Sequence, residues 1–161
     1  MSALPAEDMS HLQAAEGWLF LGSYEDAFKA LDDITPSFRT HADVLVLRCE
    51  IFMKVKKWDY ALALAEGFLD LFPDDPRGVS YLARIHRERG RVQSAYDIIT
   101  MKLSQFPMEW KLYYDAASYA SILGKLDEAD MLLSRAFELG DSQKLKLQAL
   151  DDPDLDAVWT R

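Results

Sequence analysis

The side chains best suited to chemistry in this sequence are three histidines, His11, His41 and His86, and a single cysteine, Cys49. A thiol becomes a nucleophile only beside a base, and a metal needs several such groups converging on one point. No two of these residues have ligand spacing, and neither an HxxxH nor a CxxC pattern occurs. The glycines are too sparse to form a dinucleotide-binding turn or a phosphate loop. The expectation is therefore a non-enzyme with no catalytic residues, no metal and no cofactor.

Composition narrows the class further. The chain has 161 residues, half of them hydrophobic, which suits one domain or one short repeat array. Its 18 Lys and Arg against 27 Asp and Glu give a net charge of −9. An acidic surface repels nucleic acid and anionic lipid, so neither nucleic acid nor membrane is expected as a partner. One cysteine permits no intramolecular disulfide, as in a reducing compartment. The opening MSALPAEDMSHLQ has no basic start and no apolar core of a signal peptide. No apolar run approaches the roughly 20 residues needed to span a bilayer. The expected localisation is cytoplasmic.

The elements that position these residues show themselves as an internal repeat. Ala27, Ala61, Ala95 and Ala129 are spaced by 34 residues, as are Tyr24, Trp58, Val92 and Leu126. Gly22, Gly90 and Gly124 share the period, with Lys56 at the missing step, and Pro73 and Pro107 share it too. A second series of small residues, Ala15, Cys49, Ala83 and Ala117, runs in the same phase.

This pattern resembles the tetratricopeptide repeat, a 34-residue helix–turn–helix unit, over about residues 8 to 141. In that family positions 8 and 20 are small because the two helices of a hairpin cross there, and here both series fit. The family prefers an aromatic at position 11; Trp18 and Phe52 match, while His86 and Ala120 depart. It favours proline near position 32; Pro73 and Pro107 match, while Arg39 and Asp141 do not. Glycine at position 15 ends the first helix in a left-handed conformation, so Lys56 is expected to alter the second turn. Pro36 is expected to shorten the second helix of the first repeat. The tryptophans Trp18 and Trp58 fall on core positions.

The resemblance implies an all-α right-handed α-solenoid of four hairpins, about 8–41, 42–75, 76–109 and 110–141. First helices are expected over about 8–21, 40–55, 76–89 and 110–122, and second helices over about 24–34, 58–71, 92–105 and 126–139. Residues 1–7 are expected to be disordered, and residues 142–161 to form a capping helix and tail. Ser142 is expected to cap that helix. Asp152 and Pro153 open a further short turn that lets Leu155, Val158 and Trp159 fold back onto the array.

In this family the first helices line a concave groove that holds an extended or helical peptide. Carried onto this chain, the groove positions give Leu12, Leu19 and Phe20 in the first repeat and Val46 and Met53 in the second. They give Arg77, Arg84 and Arg87 in the third and Lys111 and Tyr114 in the fourth. The N-terminal half is apolar with acidic spots such as Glu16 and Glu50. The C-terminal half is basic, against Glu88 alone. Arginine grips carboxylates through two parallel hydrogen bonds, so the implied ligand has an apolar segment followed by an acidic one, or a C-terminal carboxylate. The plainer alternative is a solvated face whose cations pair with Glu88 and Asp115. The family's clamp for chaperone C-termini is not reproduced: its places hold Leu12, Glu16, Leu47, Arg77 and Tyr81 in one frame. In the other they hold Val46, Glu50, Tyr81, Lys111 and Asp115.

The leading expectation is a protein–protein interaction scaffold that docks a partner peptide or helix. A dedicated chaperone for one secretion client is the second reading. A homodimer joined through Leu19 and Phe20 or the terminal tryptophan is the third.

Overall fold

The computed structural model describes residues 3–161, and among them every regular element is helical. The elements are α1 (Ala6–Phe20), α2 (Tyr24–Asp32), α3 (Ala42–Lys54), α4 (Trp58–Leu71), α5 (Pro76–Glu88), α6 (Val92–Thr100), α7 (Trp110–Ile122), α8 (Leu126–Leu139), α9 (Ser142–Leu150) and α10 (Asp156–Trp159). Two 3-10 turns, Pro36–Phe38 and Pro153–Leu155, join them. The chain forms two compact units, one ending at Pro73 and the other beginning at Asp74. The first contains the hairpins α1–α2 and α3–α4; the second contains α5–α6, α7–α8 and the helical ending.

Each hairpin closes where its small residues meet. Ala15, Ala83, Ala117 and all four alanines of the 27, 61, 95, 129 series have no accessible surface, and Cys49 is buried with them. Larger side chains there would force the helix axes apart. The Cys49 thiol lies 3.6 Å from the Ala61 carbonyl oxygen across the α3–α4 crossing. That contact joins the two small positions of one repeat.

The four hairpin turns are the same turn. Gly22, Gly90 and Gly124 have φ of 75–76°, and Lys56 adopts φ 57° at the equivalent place. In each, the next residue's N–H donates to a carbonyl five residues back: Ser23 to Trp18, Lys57 to Phe52, Arg91 to His86 and Lys125 to Ala120. The second turn therefore does not differ as expected; the repeat geometry imposes a left-handed backbone on a lysine. That conformation costs an L-residue roughly 1–2 kcal/mol. Lys56→Gly removes this strain at some expense in unfolded-chain entropy, so a net gain of about 0.5–1 kcal/mol is expected. A urea midpoint that stays put or falls would refute the strain.

Helix ends follow local chemistry. The side chains of His41, Asp75, Glu109 and Asp141 each accept a backbone N–H at the start of α3, α5, α7 and α9. Asp141, rather than Ser142, is thus the cap of α9, because its carboxylate reaches the Lys144 N–H at 3.2 Å. Pro36 ends the first hairpin early, with α2 stopping at Asp32. Arg39, standing where the repeat favours proline, donates to the Ile34 and Asp32 carbonyl oxygens at 2.9 and 2.6 Å and closes the helix end itself. Helix α6 stops at Thr100, short of the expected 105. The Thr100 hydroxyl bonds the Tyr96 carbonyl oxygen at 2.9 Å, and the segment up to Phe106 continues in tight i to i−3 turns.

In the first unit Leu12, Leu31, Ile34, Val44, Leu47 and Ile51 form one core cluster, with Leu19 and Phe28 packed against it. Leu4 belongs to the same cluster, and α1 starts at Ala6, so the order reaches further toward the N-terminus than the disordered 1–7 expected; residues 1 and 2 lie outside the described residues. Asp8 is 2% exposed and accepts the Thr35 N–H at 2.7 Å, tying the start of α1 to the connection before α3. Phe52 lies between Phe28 of α2, tilted against it at 4.8 Å, and Tyr60 of α4, stacked on it at 5.2 Å. Trp18 occupies the same repeat position but is exposed, not core, because no hairpin precedes α1 among the described residues to cover it.

Candidate functional site

The groove positions divide by unit. In the first, Leu12 and Met53 are buried and so are core residues, not groove surface. Leu19 is half-buried against the Leu12 cluster, and Val46 against Ala42, Leu45 and Phe68. Phe20 alone of the apolar set stands free, 91% exposed at the α1–α2 turn. Apolar side chains at these positions pack inward when a neighbouring helix can cover them, and here α3 covers Leu12.

In the second unit the same register builds a polar face on α5 and α7. Arg77, Arg84 and Arg87 are half-buried and Lys111 is exposed. Arg77 turns back onto the cap of its own helix, with Nη2 2.7 Å from Asp75 Oδ2. Lys111 pairs with Asp115 at 3.0 Å, one helical turn on. Those two contacts match the plainer solvated-face alternative. Arg87 behaves differently: its Nη2 donates to both carboxylate oxygens of Asp154 at 2.6 Å, while Glu88 stands off at 3.8 Å. Donating these hydrogen bonds to the Asp154 carboxylate raises the Arg87 pKa, outweighing burial.

The residue Asp154 belongs to the C-terminal segment, which folds back across α7. Tyr114, expected to line an open groove, is buried instead, and its hydroxyl donates to Asp152 Oδ2 at 2.9 Å. Burial pushes the Tyr114 phenol well above its ordinary pKa, and the Asp152 carboxylate adds to the shift. Burial also raises the Tyr119 phenol, with Asp115 adding to the effect, while the Arg87 and Arg84 charges pull the other way. Ser118 and Ser121, one and two turns beyond Tyr114, are buried as well. Leu155 and Val158 are buried, as the folding back of the tail implied, whereas Trp159 remains 41% exposed while its indole N–H donates to the Ala149 carbonyl oxygen at 3.0 Å. The last residue, Arg161, pairs with Asp127 at 2.9 Å and with Asp130 of α8.

Sequence reasoning grouped Arg77, Arg84, Arg87 and Lys111 on one register but did not foresee the contacts of Arg87 and Tyr114 with Asp154 and Asp152 of the C-terminal segment. The signal was present: Asp152 and Asp154 are two residues apart, next to an apolar Leu155. Among the described residues no three His, Cys, Asp or Glu side chains cluster to hold a metal, and no helix is long and apolar enough to cross a membrane.

No protein-family model matches the chain, and no curated protein sequence matches it. Solved structures do. TTC0263, a thermophilic TPR protein of Thermus thermophilus, superposes with a TM-score of 0.73 at 17% identity, over 94% of this chain and 86% of that one. YrrB, a TPR protein with an unusual peptide-binding site, gives 0.64 at 14% identity, over 90% and 75%. MamA of Desulfovibrio magneticus RS-1 gives 0.64 at 14% identity, over 98% and 92%. The 34-residue period, the closed small-residue crossings, the four equivalent turns and these superpositions give one answer: the chain is an all-α array of helical hairpins with the tetratricopeptide-repeat fold.

Proposed function

We propose that this protein is a non-catalytic protein–protein interaction scaffold whose α5–α7 face takes an acidic segment of a partner. One observation carries the reading. In a chain of net charge −9, the cations Arg84, Arg87 and Lys111 gather on this face, and an acidic stretch of the chain itself lies against it through Arg87. The face already holds a peptide-like segment by a two-oxygen guanidinium grip and a tyrosine hydroxyl, which is how extended acidic ligands are held generally. The YrrB structure, described as having a peptide-binding site, supports such a use of this fold.

The test is capture of partners from lysate by wild-type protein and by an Arg77→Glu/Arg84→Glu variant, which leaves the Arg87–Asp154 pair in place. Circular dichroism must show the variant folded. Each lost charged contact is expected to weaken binding by about 1.5–3 kcal/mol, enough to remove the partner from the captured set. A partner held equally by both proteins would sink this assignment of the face. Attention would then move to the exposed Phe20 and Leu21 edge of the first unit.

A further inference from the structure

Resting on the reading above, we infer that the C-terminal segment, residues 151–161, is a displaceable occupant of the α5–α7 face. The ligand that replaces it carries the same pattern: two carboxylates two residues apart, followed directly by a large apolar residue.

The segment has the form of a bound ligand more than of a repeat. It contains a three-residue 3-10 turn and a four-residue helix, α10, which lies on α7 and α8 without forming a hairpin of its own. Its charge complements the face, with four aspartates (151, 152, 154 and 156) against the single Arg161. Asp152 takes the Tyr114 hydroxyl and Asp154 takes Arg87, so the two carboxylates reach α7 and α5 respectively. Asp152 also accepts the Asp154 N–H at 3.0 Å, which fixes the spacing between the two. Leu155 then inserts with no accessible surface left. That order, acidic then apolar, reverses the apolar-then-acidic ligand expected from the groove residues.

The fit leaves the face incompletely satisfied. The Ser121 hydroxyl, on the same register of α7 as Tyr114 and Ser118, is buried with no hydrogen-bond partner among the described residues. A ligand that reaches it removes a penalty the tail leaves in place. The tail competes through tethering: only Asp151 and Asp152 separate its 3-10 turn from α9, which holds it at an effective concentration on the order of millimolar or above. An external acidic segment must outbind that local concentration, so the tail sets a threshold for partner affinity and rejects weak acidic sequences.

The probe is a fluorescently labelled synthetic peptide of residues 150–161, followed by anisotropy. The full chain carrying Asp152→Asn, Asp154→Asn and Leu155→Ala is expected to bind this peptide about tenfold or more tighter than wild type, because the tethered competitor is gone. Adding Arg87→Glu should abolish that gain. Equal affinity for wild type and the opened chain, or no binding to an opened chain that is folded by circular dichroism, would overturn the proposal. Amide exchange on Arg87→Glu alone gives a second readout that needs no multiple variant. Exchange in 151–161 should rise at least about tenfold while α8 keeps its protection, as local opening requires. If α7 and α8 lose protection together with the tail, the segment is an integral cap and the proposal fails. Should it fail while Arg77→Glu/Arg84→Glu still loses its partner, the scaffold reading survives without the built-in competitor.

Discussion

Leu31→Ala is expected to destabilise the first unit by about 2–5 kcal/mol, the range for removing a fully buried leucine from a core. Leu31 has no accessible surface and sits between the helices of the first two hairpins, in the cluster with Leu12, Ile34, Val44 and Ile51. Its loss deletes the transfer free energy of three carbons and leaves a cavity. The surrounding β-branched Ile34, Val44 and Ile51 are restricted in rotamer and poorly able to collapse into it. The control is Leu71→Ala, at the exposed end of α4, where a change within about 0.5 kcal/mol is expected. Urea denaturation followed by circular dichroism compares the two. A loss at Leu31 no larger than that at Leu71 would show that this cluster is not the core of the unit.

The second large effect is expected at a polar residue. Asp8→Ala should destabilise by about 1.5–3 kcal/mol, the range for a hydrogen bond to a charged group. The Asp8 carboxylate is buried in the first turn of α1, where unsatisfied N–H groups favour negative charge, and it accepts the Thr35 N–H at 2.7 Å from 27 residues away. The contact fixes the connection that Pro36 made longer than the repeat norm. Asp8→Asn keeps an acceptor oxygen but gives up the charge, so it should fall about midway between wild type and alanine. The connection from Asp33 to His41 should become more open to protease in Asp8→Ala than in Leu31→Ala at matched stability. If asparagine is as damaging as alanine, the charge at the helix start, not the tie to Thr35, is the controlling interaction.

The sequence by itself determined the repeat unit, the four hairpins and most of their helix limits. Period and residue size are local facts: a small residue must recur wherever two helices cross, and Ala27, Ala61, Ala95 and Ala129 record each crossing. It also determined where charge gathers, since Arg77, Arg84 and Arg87 occupy one register of one helix whatever packs beside it. Tertiary structure decided accessibility, which no register can state. Leu12 and Met53 went inward because apolar surface is buried whenever a neighbour is near enough, and Trp18 stayed out because no preceding hairpin lies beside it among the described residues. Lys56 took a left-handed backbone because the closed hairpin fixes the turn more strongly than the residue resists it. The basic face, open in the register, is filled by Asp152, Asp154 and Leu155. Those contacts join residues 38 and 67 positions apart, the first a phenol on a carboxylate and the second an ion pair, and chain return on that scale is invisible to any 34-residue period.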